Sequence, residues 1–393
     1  MRIITVNADL LSLTVELFEV VAKNKIKVIL KCSAINLNVA NPVLQIDWLD
    51  VKSEKIAKTE LIKLVHKTKC ELMYLDALKQ IIAHPDLSIS SINYVINKIA
   101  YGEIEFDGIV LLHEKTLDKI GELSKAWTLD NSINLLVARY LFGVLPKVKH
   151  YACFDTTFHK TQLVVNQIYP IDYRYYEDGV RKYGVDGLSC EYIISKLANY
   201  VDHSKLKGRY VIANISSLSS SICAIHKLKS VATTSRLVGA TSVADLDSSV
   251  VFSLQSRCSL QSSEMQDILS NKSGLLGVSG ISGELDILLK SDESRAKLAV
   301  DYLVNEVAAN IAKLAGYLGG IDGIVFTASV GERNFYIREH ICNRLAFLGI
   351  EIKHKDNKEN KSIISKKSSK VRVMVIPTNE NFAMLMQLLQ RVQ

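Results

Sequence analysis

Short runs rich in β-branched residues alternate along this chain with longer segments of helical periodicity. Six of the short runs predict β-strands, and they are Arg2–Val6, Gly108–Leu112, Tyr151–Phe154, Tyr210–Ile215, Gly323–Thr327 and Val371–Ile376. Three segments with apolar residues three or four positions apart predict helices, and they are Lys55–His66, Ala296–Ala315 and Phe335–Leu348. Strands that alternate with helices indicate an α/β protein in which helices cover the sheet.

Two parts of the chain begin with a predicted strand, one near residue 2 and the other near residue 151. A chain of 393 residues is longer than one ordinary domain and has room for two or three. The repeated beginning indicates a duplication at the scale of a domain, with a boundary near residue 149. The pattern predicts a two-domain protein and no specific chemistry.

The excess of positive charge is concentrated in one polar segment. The formal net charge is +7, and Ile352–Arg372 holds eight Lys and Arg residues against two acidic residues. No aromatic residue lies in this segment to stack on bases, which disfavours a nucleic-acid site. Blocks of like charge are typical of solvated chain, so we predict a surface loop here, with a nucleic-acid patch as the alternative.

The seven cysteines are scattered through the chain and never form a C-x-x-C pair. This pattern disfavours a disulfide framework or a zinc site, and it predicts buried, small apolar side chains. No stretch approaches the roughly 18 uncharged apolar residues of a membrane span. Because Met1–Val6 runs straight into a strand and does not resemble a signal peptide, we expect a cytoplasmic protein with no membrane partner.

Five segments match, in chain order, the sequence motifs of acetate and propionate kinases. They are Phe154–His159 (FDTTFH), Arg181–Gly184 (RKYG), Ser273–Ser282 (SGLLGVSGIS), Phe326–Glu332 (FTASVGE) and Ile376–Glu380 (IPTNE). The chain therefore resembles the acetate kinase family over residues 1 to 385.

The resemblance implies the fold of acetate and sugar kinases, Hsp70 and actin, in which two duplicated domains bind ATP and Mg²⁺ in the cleft between them. It implies an N-terminal domain of residues 1–149 and 380–393, and a C-terminal, nucleotide-side domain of residues 150–379. It also implies a nucleotide and a short-chain carboxylate as partners, and a homodimer.

The family reaction moves the γ-phosphoryl group of ATP onto acetate, giving ADP and acetyl phosphate. Such a site needs oxygen ligands for Mg²⁺, cations around the phosphoryl group, and glycines that let N–H groups approach phosphate. The resemblance implies metal roles for Asn7 and Glu380, an acid–base or metal-positioning role for Asp155, and a phosphate contact for Ser12. Each of the first three also has an ordinary structural role: Asn7 in a turn, Asp155 as a helix cap, and Glu380 at a helix start.

Several charged groups of the family motifs are replaced in the first domain. Where the family reads N-x-G-S-S-S-x-K, this chain has Asp9 in place of the glycine and Thr14 in place of the lysine. Lys98 stands where the family has its substrate-side arginine, and Asp130 where it has a histidine. Lysine keeps the charge but lacks the planar, two-pronged grip of arginine on a carboxylate.

Two catalytic positions of the second domain are also replaced. Cys190 takes the place of the histidine that stabilises the transition state in the family, and a thiol is a weak donor. A nucleophilic role for Cys190 is an alternative for which the sequence supplies no base. A substrate loop is about six residues shorter than in the family, and its arginine position falls on Ser242.

The family's phosphate loop, H-L-G-N-G, falls on Ala213–Ser221. Asn214 or Ile215 replaces the histidine, depending on a one-residue shift, and both glycines are lost. Ser216 and Ser217 remain as hydroxyl donors, but their Cβ atoms obstruct the close backbone approach that glycine allows.

The nucleotide region keeps some of its motif residues and reverses one charge. The family's D-x-R becomes Glu284, Leu285 and Asp286, so that an acidic side chain stands in place of the arginine. Gly331 and Glu332 match the G-E of the family's G-I-G-E-N turn.

These replacements predict a family member with eroded catalytic residues, little or no acetate kinase activity, and weakened or lost nucleotide binding. Losing one preorganised charge-stabilising donor costs about 2.7–4 kcal/mol, or roughly 10²–10³ in rate. One alternative is a still-active acetate or short-chain acyl kinase that uses Asp155, Lys98, Asn7 and Glu380 as a reduced site. Another is an interaction protein that binds its partner through the basic segment Ile352–Arg372.

Overall fold

The computed structural model describes residues 1–22, 25–37, 42–50, 53, 55–64, 70–127 and 129–392. The chain packs into two compact units, of which unit 1 comprises Met1–Thr157 with Asn379–Gln393, and unit 2 comprises Phe158–Thr378. The sequence-based boundaries at 149/150 and 379/380 stay a prediction of where the functional domains divide.

The strands of the described residues are β1 Arg2–Asp9, β2 Ser12–Ala22, β3 Lys25–Ile35, β4 Val43–Leu49, β5 Ile56–Lys63, β6 Ile92–Ile99, β7 Ile109–Leu111, β8 Lys149–Phe154, β9 Arg209–Ile215, β10 Ser220–His226, β11 Lys229–Thr233, β12 Gly323–Thr327 and β13 Arg372–Val375. All six strands predicted from the sequence are confirmed, each within three residues at either end.

The α-helices of the described residues are α1 Cys70–Ile82, α2 Glu114–Trp127, α3 Leu129–Val144, α4 Val164–Gln167, α5 Tyr173–Glu177, α6 Gly187–Lys196, α7 Ser248–Cys258, α8 Ser262–Asn271, α9 Gly274–Ser279, α10 Leu285–Lys290, α11 Ser294–Leu318, α12 Ala328–Arg333, α13 Phe335–Arg344, α14 His354–Lys358 and α15 Glu380–Val392. A 3₁₀ helix, Asp155–Thr161, directly follows β8. Within the described residues, no helix combines the length and the apolar character that crossing a membrane requires.

The sheets of the two units share an order of five strands, which β4, β5 and β7 extend in unit 1. In unit 1 the strand order is β5-β4-β3-β2-β1-β6-β8-β7, and in unit 2 it is β11-β10-β9-β12-β13. Each sheet contains three antiparallel strands connected in sequence, β3-β2-β1 or β11-β10-β9, followed by two strands parallel to the last of them. The shared order agrees with the duplication predicted from the sequence.

The central strands are buried on both faces because helices cover each sheet. In unit 1, Ile4, Val6 and Ala8 of β1 pack in one cluster with Ile133 and Val137 of α3. Such strands are apolar along nearly their whole length, which explains why β1 lacks a clean polar alternation.

In unit 2, the two faces of the sheet pack against different helices. One face meets the long helix α11, whose Val304, Val307 and Ile311 are buried. The other face meets α6 through Cys190 and Ile193. This arrangement leaves the ends of the strands as the places where polar side chains gather.

The predicted helix Lys55–His66 is wrong, because its central part forms the strand β5. Residues 65 and 66 lie outside the described residues. β5 pairs antiparallel with β4 and keeps most of its side chains exposed at the sheet edge. Its apolar residues fit either period, and pairing with a neighbouring strand decided the outcome.

The basic segment Ile352–Arg372 is not a single loop. It contains α14, and Asn357 and Ile364 within it are fully buried. Its lysines are largely exposed, as expected for solvated charges. The loop prediction is therefore wrong for His354–Lys358, which form α14, and is confirmed for the exposure of the lysines.

Burial of the cysteines is confirmed for most of those that the structure describes. Five are buried and Cys258 is exposed, and all six are free thiols. The side chain of Cys70 lies outside the described residues.

Candidate functional site

The predicted site residues of unit 1 gather at the carboxyl ends of its parallel strands. Asn7 and Asp9 lie at the end of β1, Lys98 near the end of β6, and Asp155 directly after β8. The first residue of α15, Glu380, reaches the same place and hydrogen-bonds Asn7. Parallel strands bring their carboxyl ends to one edge of a sheet, which is where α/β proteins build sites.

Lys98 forms the centre of a compact ionic group, which we call the Lys98 cluster and define as Asn7, Asp9, Lys98 and Glu380. Its ammonium Nζ donates to Glu380 Oε2 at 2.6 Å and to Asp9 Oδ1 at 3.3 Å. Asn7 Nδ2 donates to the same Glu380 oxygen at 2.7 Å. Lys98 is 6% exposed, so its charge is compensated by protein groups more than by solvent.

The surroundings of Lys98 keep its ammonium charged. Burial alone would lower the pKa of Lys98, but the carboxylates of Asp9, Glu380 and Asp155 outweigh burial and raise this pKa well above its ordinary value. The lysine that replaces the family arginine is therefore a permanent cation at neutral pH.

The Lys98 cluster does not fit a Mg²⁺ ion bound to Glu380. Glu380 Oε2 already accepts hydrogen bonds from an ammonium and from an amide. Mg²⁺ requires ligand oxygens at about 2.0–2.1 Å in octahedral geometry, which would bring it within about 5 Å of the Lys98 charge. Asn7 also presents its amide nitrogen, not its oxygen, to this carboxylate.

The β1–β2 turn is fastened by neighbouring side chains. The Tyr74 hydroxyl donates to Asp9 O at 2.6 Å, and Ser12 pairs with Asp9 across the hairpin. Thr14 Oγ1 accepts from Asn381 Nδ2 at 3.1 Å. Thr14, which stands where the family has a lysine, thus holds the start of α15 instead of offering a positive charge.

We call Ser216–Ser219, between β9 and β10, the serine loop of unit 2. Its backbone N–H groups donate hydrogen bonds to serine hydroxyls of the protein. Ser216 Oγ accepts from the N–H groups of Leu218 and Ser219, both at 3.2 Å, and donates to Ser219 O. The N–H of Ser217 donates to Ser329 Oγ at 3.1 Å. Three consecutive N–H groups that could face a phosphate oxygen therefore have partners within the protein.

Cys190 was predicted to replace one family histidine, and Asn214 or Ile215 another; the side chains of Asn214 and Cys190 both contact other protein groups. Asn214 Nδ2 donates to Ser189 Oγ at 3.1 Å, and Ser189 also accepts from Thr378 Oγ1 at 2.7 Å. Cys190 is 1% exposed within an apolar cluster. These positions offer no cation.

The thiol of Cys190 interacts with the buried Cys223. Burial raises the pKa of Cys223, but a hydrogen bond from Cys190 and the neighbouring His159 lower it below its ordinary value. His159 is held in place by Ser230 Oγ at Nδ1 and by Val185 O at Nε2. Gly184 has a φ of +83°, and a Cβ there would lie 2.6 Å from the His159 ring, which explains the glycine of the RKYG motif.

The Gly331–Glu332 turn is held by hydrogen bonds from Arg338, which is fully buried. Its Nη1 donates to Gly331 O and Glu332 O, both at 2.9 Å. The Glu332 carboxylate accepts from the Thr378 N–H at 3.0 Å. Both motif residues are thus fixed in position by the chain around them.

The remaining predicted residues lie at the surface or in a tight turn. Glu284 and Asp286, at the start of α10, are exposed. Ser242 accepts the Gly239 N–H at its carbonyl, and Gly274 packs so closely on this turn that a Cβ would lie 2.2 Å from Gly239 O. The Ser273–Ser282 motif therefore has a steric reason for its first glycine.

A family model described as the Acetokinase family matches residues 2–386 of this chain. The chain belongs to the acetokinase family. It is 34% identical over 305 residues to an acetate kinase of Treponema denticola, covering 75% of this chain and 77% of that relative. It is 33% identical over 314 residues to a propionate kinase of Yersinia enterocolitica, covering 77% of this chain and 76% of that relative.

The crystal structure of Porphyromonas gingivalis acetate kinase superposes on this acetokinase-family protein with a TM-score of 0.81. The two are 25% identical, and the comparison covers all of both chains. The predicted family and fold class are thereby confirmed: this is an α/β protein with two sheets and the fold of the acetate kinases.

Sequence reasoning on this acetokinase-family protein missed three residues of the site. Ser329, which occupies a glycine position of the family's F-T-A-G-I-G-E motif, binds the serine loop. Ser189 and Thr378 form the network around Asn214. The exchange of glycine for Ser329 was the available signal, because it occurs together with the lost glycines of the phosphate loop.

Proposed function

We propose that this acetokinase-family protein has little or no acetate kinase activity, and that its binding of ATP is weakened or lost. One observation carries the proposal: the N–H groups of the serine loop are hydrogen-bonded to Ser216 and Ser329. A phosphate group would have to displace these hydroxyls and then approach past Cβ atoms that the family's glycines lack.

The family reaction also needs positive charge beside the migrating group. An acetate oxygen attacks the γ-phosphorus, the bond to the β,γ-bridging oxygen breaks, and ADP leaves with the electron pair. Negative charge on the equatorial oxygens must then be compensated by cations already in place. The chain has Cys190, either Asn214 or Ile215, and Ser242 where the family motifs place two histidines and an arginine.

Lys98, which stands at the position of the family's substrate-side arginine, already forms ion pairs with carboxylates. Its Nζ lies 2.6 Å from Glu380 and 3.3 Å from Asp9. To meet a carboxylate substrate, Lys98 would have to give up one of these partners while buried, at a cost of several kcal/mol. Each lost donor removes about 2.7–4 kcal/mol of transition-state stabilisation, so turnover is strongly suppressed.

A second candidate is a still-active acetate or short-chain acyl kinase. The charged state of Lys98 and the proximity of Asp155 to it favour this alternative, because a cation and a carboxylate are the minimum of a reduced site. Its substrates would be a nucleotide with Mg²⁺ and a short-chain carboxylate, such as those named by the acetate and propionate kinase relatives.

The deciding experiment measures acyl phosphate formation by the purified protein with Mg-ATP and either acetate or propionate, trapping the product as a hydroxamate. The matched control is Asp155→Asn, which keeps the shape of the side chain and removes its charge. We expect the two proteins to give the same background. Turnover at about 1–100 s⁻¹ that disappears in Asp155→Asn would establish the second candidate.

A further inference from the structure

The Lys98 cluster combines two carboxylates, an amide and a buried ammonium in one place. We propose that Lys98 is a built-in replacement for a divalent metal ion: its ammonium takes the position of the metal on Glu380 and Asp9, and the natural protein binds no Mg²⁺ there. The proposal concerns metal binding alone and holds whether or not the protein forms an acyl phosphate.

The first support is the position of the ammonium. Nζ lies 2.6 Å from Glu380 Oε2 and 3.3 Å from Asp9 Oδ1, so one cation bridges carboxylates that are 371 residues apart in the chain. A bridging metal ion would make the same two links. The two Glu380 donors, Lys98 Nζ and Asn7 Nδ2, already fill the approach to Oε2.

The second support is the set of oxygens that surrounds the ammonium. Asp9 Oδ1 and Glu380 Oε2 are hard carboxylate oxygens of the kind that Mg²⁺ and Mn²⁺ select. Asn7 is 8% exposed, and its Oδ1 is buried with no hydrogen-bond partner among the described residues. A half-turn of the Asn7 amide would present this oxygen in place of Nδ2.

The third support is the pairing of replacements in the sequence. Lys98 stands at an arginine position and Asp9 at a glycine position of the family motifs, and the two side chains meet in the structure. The compact ammonium of lysine can enter between two carboxylates, whereas a planar guanidinium prefers to bind one carboxylate with two N–H groups. The carboxylate of Asp9 and the ammonium of Lys98 are therefore paired replacements, because each one binds the other.

It follows that removal of the Lys98 ammonium uncovers a metal site. The experiment titrates the full-length protein with Mn²⁺ and follows the loss of the free-ion signal by electron paramagnetic resonance. We expect the natural protein to show no Mn²⁺ binding that depends on Glu380. We expect Lys98→Met to gain one Mn²⁺ site, with an affinity for Mn²⁺ at least about tenfold higher than that of the natural protein. The double variant Lys98→Met/Glu380→Gln loses this site.

Two controls make the result decisive. Lys98→Arg keeps a cation in the cluster and is expected to bind no Mn²⁺, like the natural protein. If Lys98→Met does not fold, the natural protein and Glu380→Gln decide alone, because equal Mn²⁺ binding supports the proposal. The proposal is overturned if the natural protein binds one Mn²⁺ that Glu380→Gln loses, or if folded Lys98→Met binds none.

Discussion

Lys98 and Lys58 allow the energetic role of a buried ion pair to be compared with that of an exposed one. The side chains of Lys98 and Glu380 are 6% and 13% exposed, whereas those of Lys58 and Glu60 are 56% and 30% exposed. A carboxylate left without its partner in a buried place is costly, but at the surface water replaces the partner. The same kind of contact thus has different consequences at these two positions.

We predict that Lys98→Met, in a buffer without divalent ions, lowers the free energy of unfolding by about 3 kcal/mol. The matched control, Lys58→Met, is expected to leave it nearly unchanged, because water replaces the partner of an exposed charge. Urea denaturation followed by circular dichroism measures both. Equal effects of the two substitutions would contradict the energetic account of the Lys98 cluster.

His150 gives a second residue-scale prediction, which concerns pH. It is 1% exposed, its Nε2–H donates to Leu145 O at 3.0 Å, and burial lowers its pKa. Because the unfolded chain takes up this proton at a higher pH than the folded chain, the stability contributed by neutral His150 is present above about pH 6.5 and is lost as the pH falls.

Replacement of His150 should therefore flatten the pH dependence of stability. His150→Gln can still donate to Leu145 O but cannot titrate, so we expect its melting temperature to fall less than that of the natural protein between pH 7.5 and pH 5. The exposed His113 provides the matched control substitution, His113→Gln. An unchanged slope in His150→Gln would show that this histidine does not govern the acid sensitivity.

At the scale of elements, the serine loop and α12 are connected by one hydrogen bond, from the Ser217 N–H to Ser329 Oγ. A glycine at position 329 would release this N–H, and a glycine at position 216 would release those of Leu218 and Ser219. Released N–H groups in a turn form a concave site for anions. The loop would then come closer to the glycine-containing phosphate loop of the family.

We predict that Ser216→Gly/Ser329→Gly binds ADP at least about tenfold more tightly than the natural protein, because each hydrogen bond to a charged group contributes about 1.5–3 kcal/mol. Isothermal titration calorimetry measures the affinity. Ser362→Gly, an exposed position in the same unit, is the control and should leave the affinity unchanged. If the double variant is folded and binds ADP no better, the hydroxyls are not what limits phosphate access.

Elements with strong local signals could be predicted from the sequence, and those decided by distant contacts could not. The buried helix α11 and the strand β12 carry clear periodic or β-branched patterns. β5 was misassigned because its pairing with β4 outweighed its local pattern. The pairing of Lys98 with Glu380 spans 282 residues, and motif matching identified both residues without showing that they touch.

At the scale of the whole molecule, two units that share an order of five strands carry polar residues at corresponding strand ends. In unit 1, Asn7 lies near the end of β1 and Lys98 near the end of β6; in unit 2, Asn214 lies near the end of β9 and Thr327 ends β12. The chain keeps this strand order, although many charged residues of the family motifs are replaced. The architecture depends on apolar burial, which those replacements leave intact.

We predict that Mg-ATP, at a concentration that saturates an active acetate kinase, leaves the melting temperature of the intact protein unchanged. A ligand at 100 times its dissociation constant stabilises a folded protein by about 2.7 kcal/mol, which differential scanning fluorimetry detects easily. The Treponema denticola acetate kinase serves as the positive control. A clear rise for the present protein, with no acyl phosphate formed, would indicate that nucleotide binding survives without catalysis.

The helix α15 is the last element of the chain but belongs to unit 1, and this affects how the protein folds during synthesis. Glu380 and the helix that follows it pack against strands formed by the first hundred residues, although all of unit 2 lies between them in the chain. During synthesis, more than two hundred residues must therefore be added after the first hundred before α15 can pack against the sheet that contains β1. Until then Lys98 lacks Glu380, and a nascent chain stalled before residue 380 should expose apolar surface to chaperones.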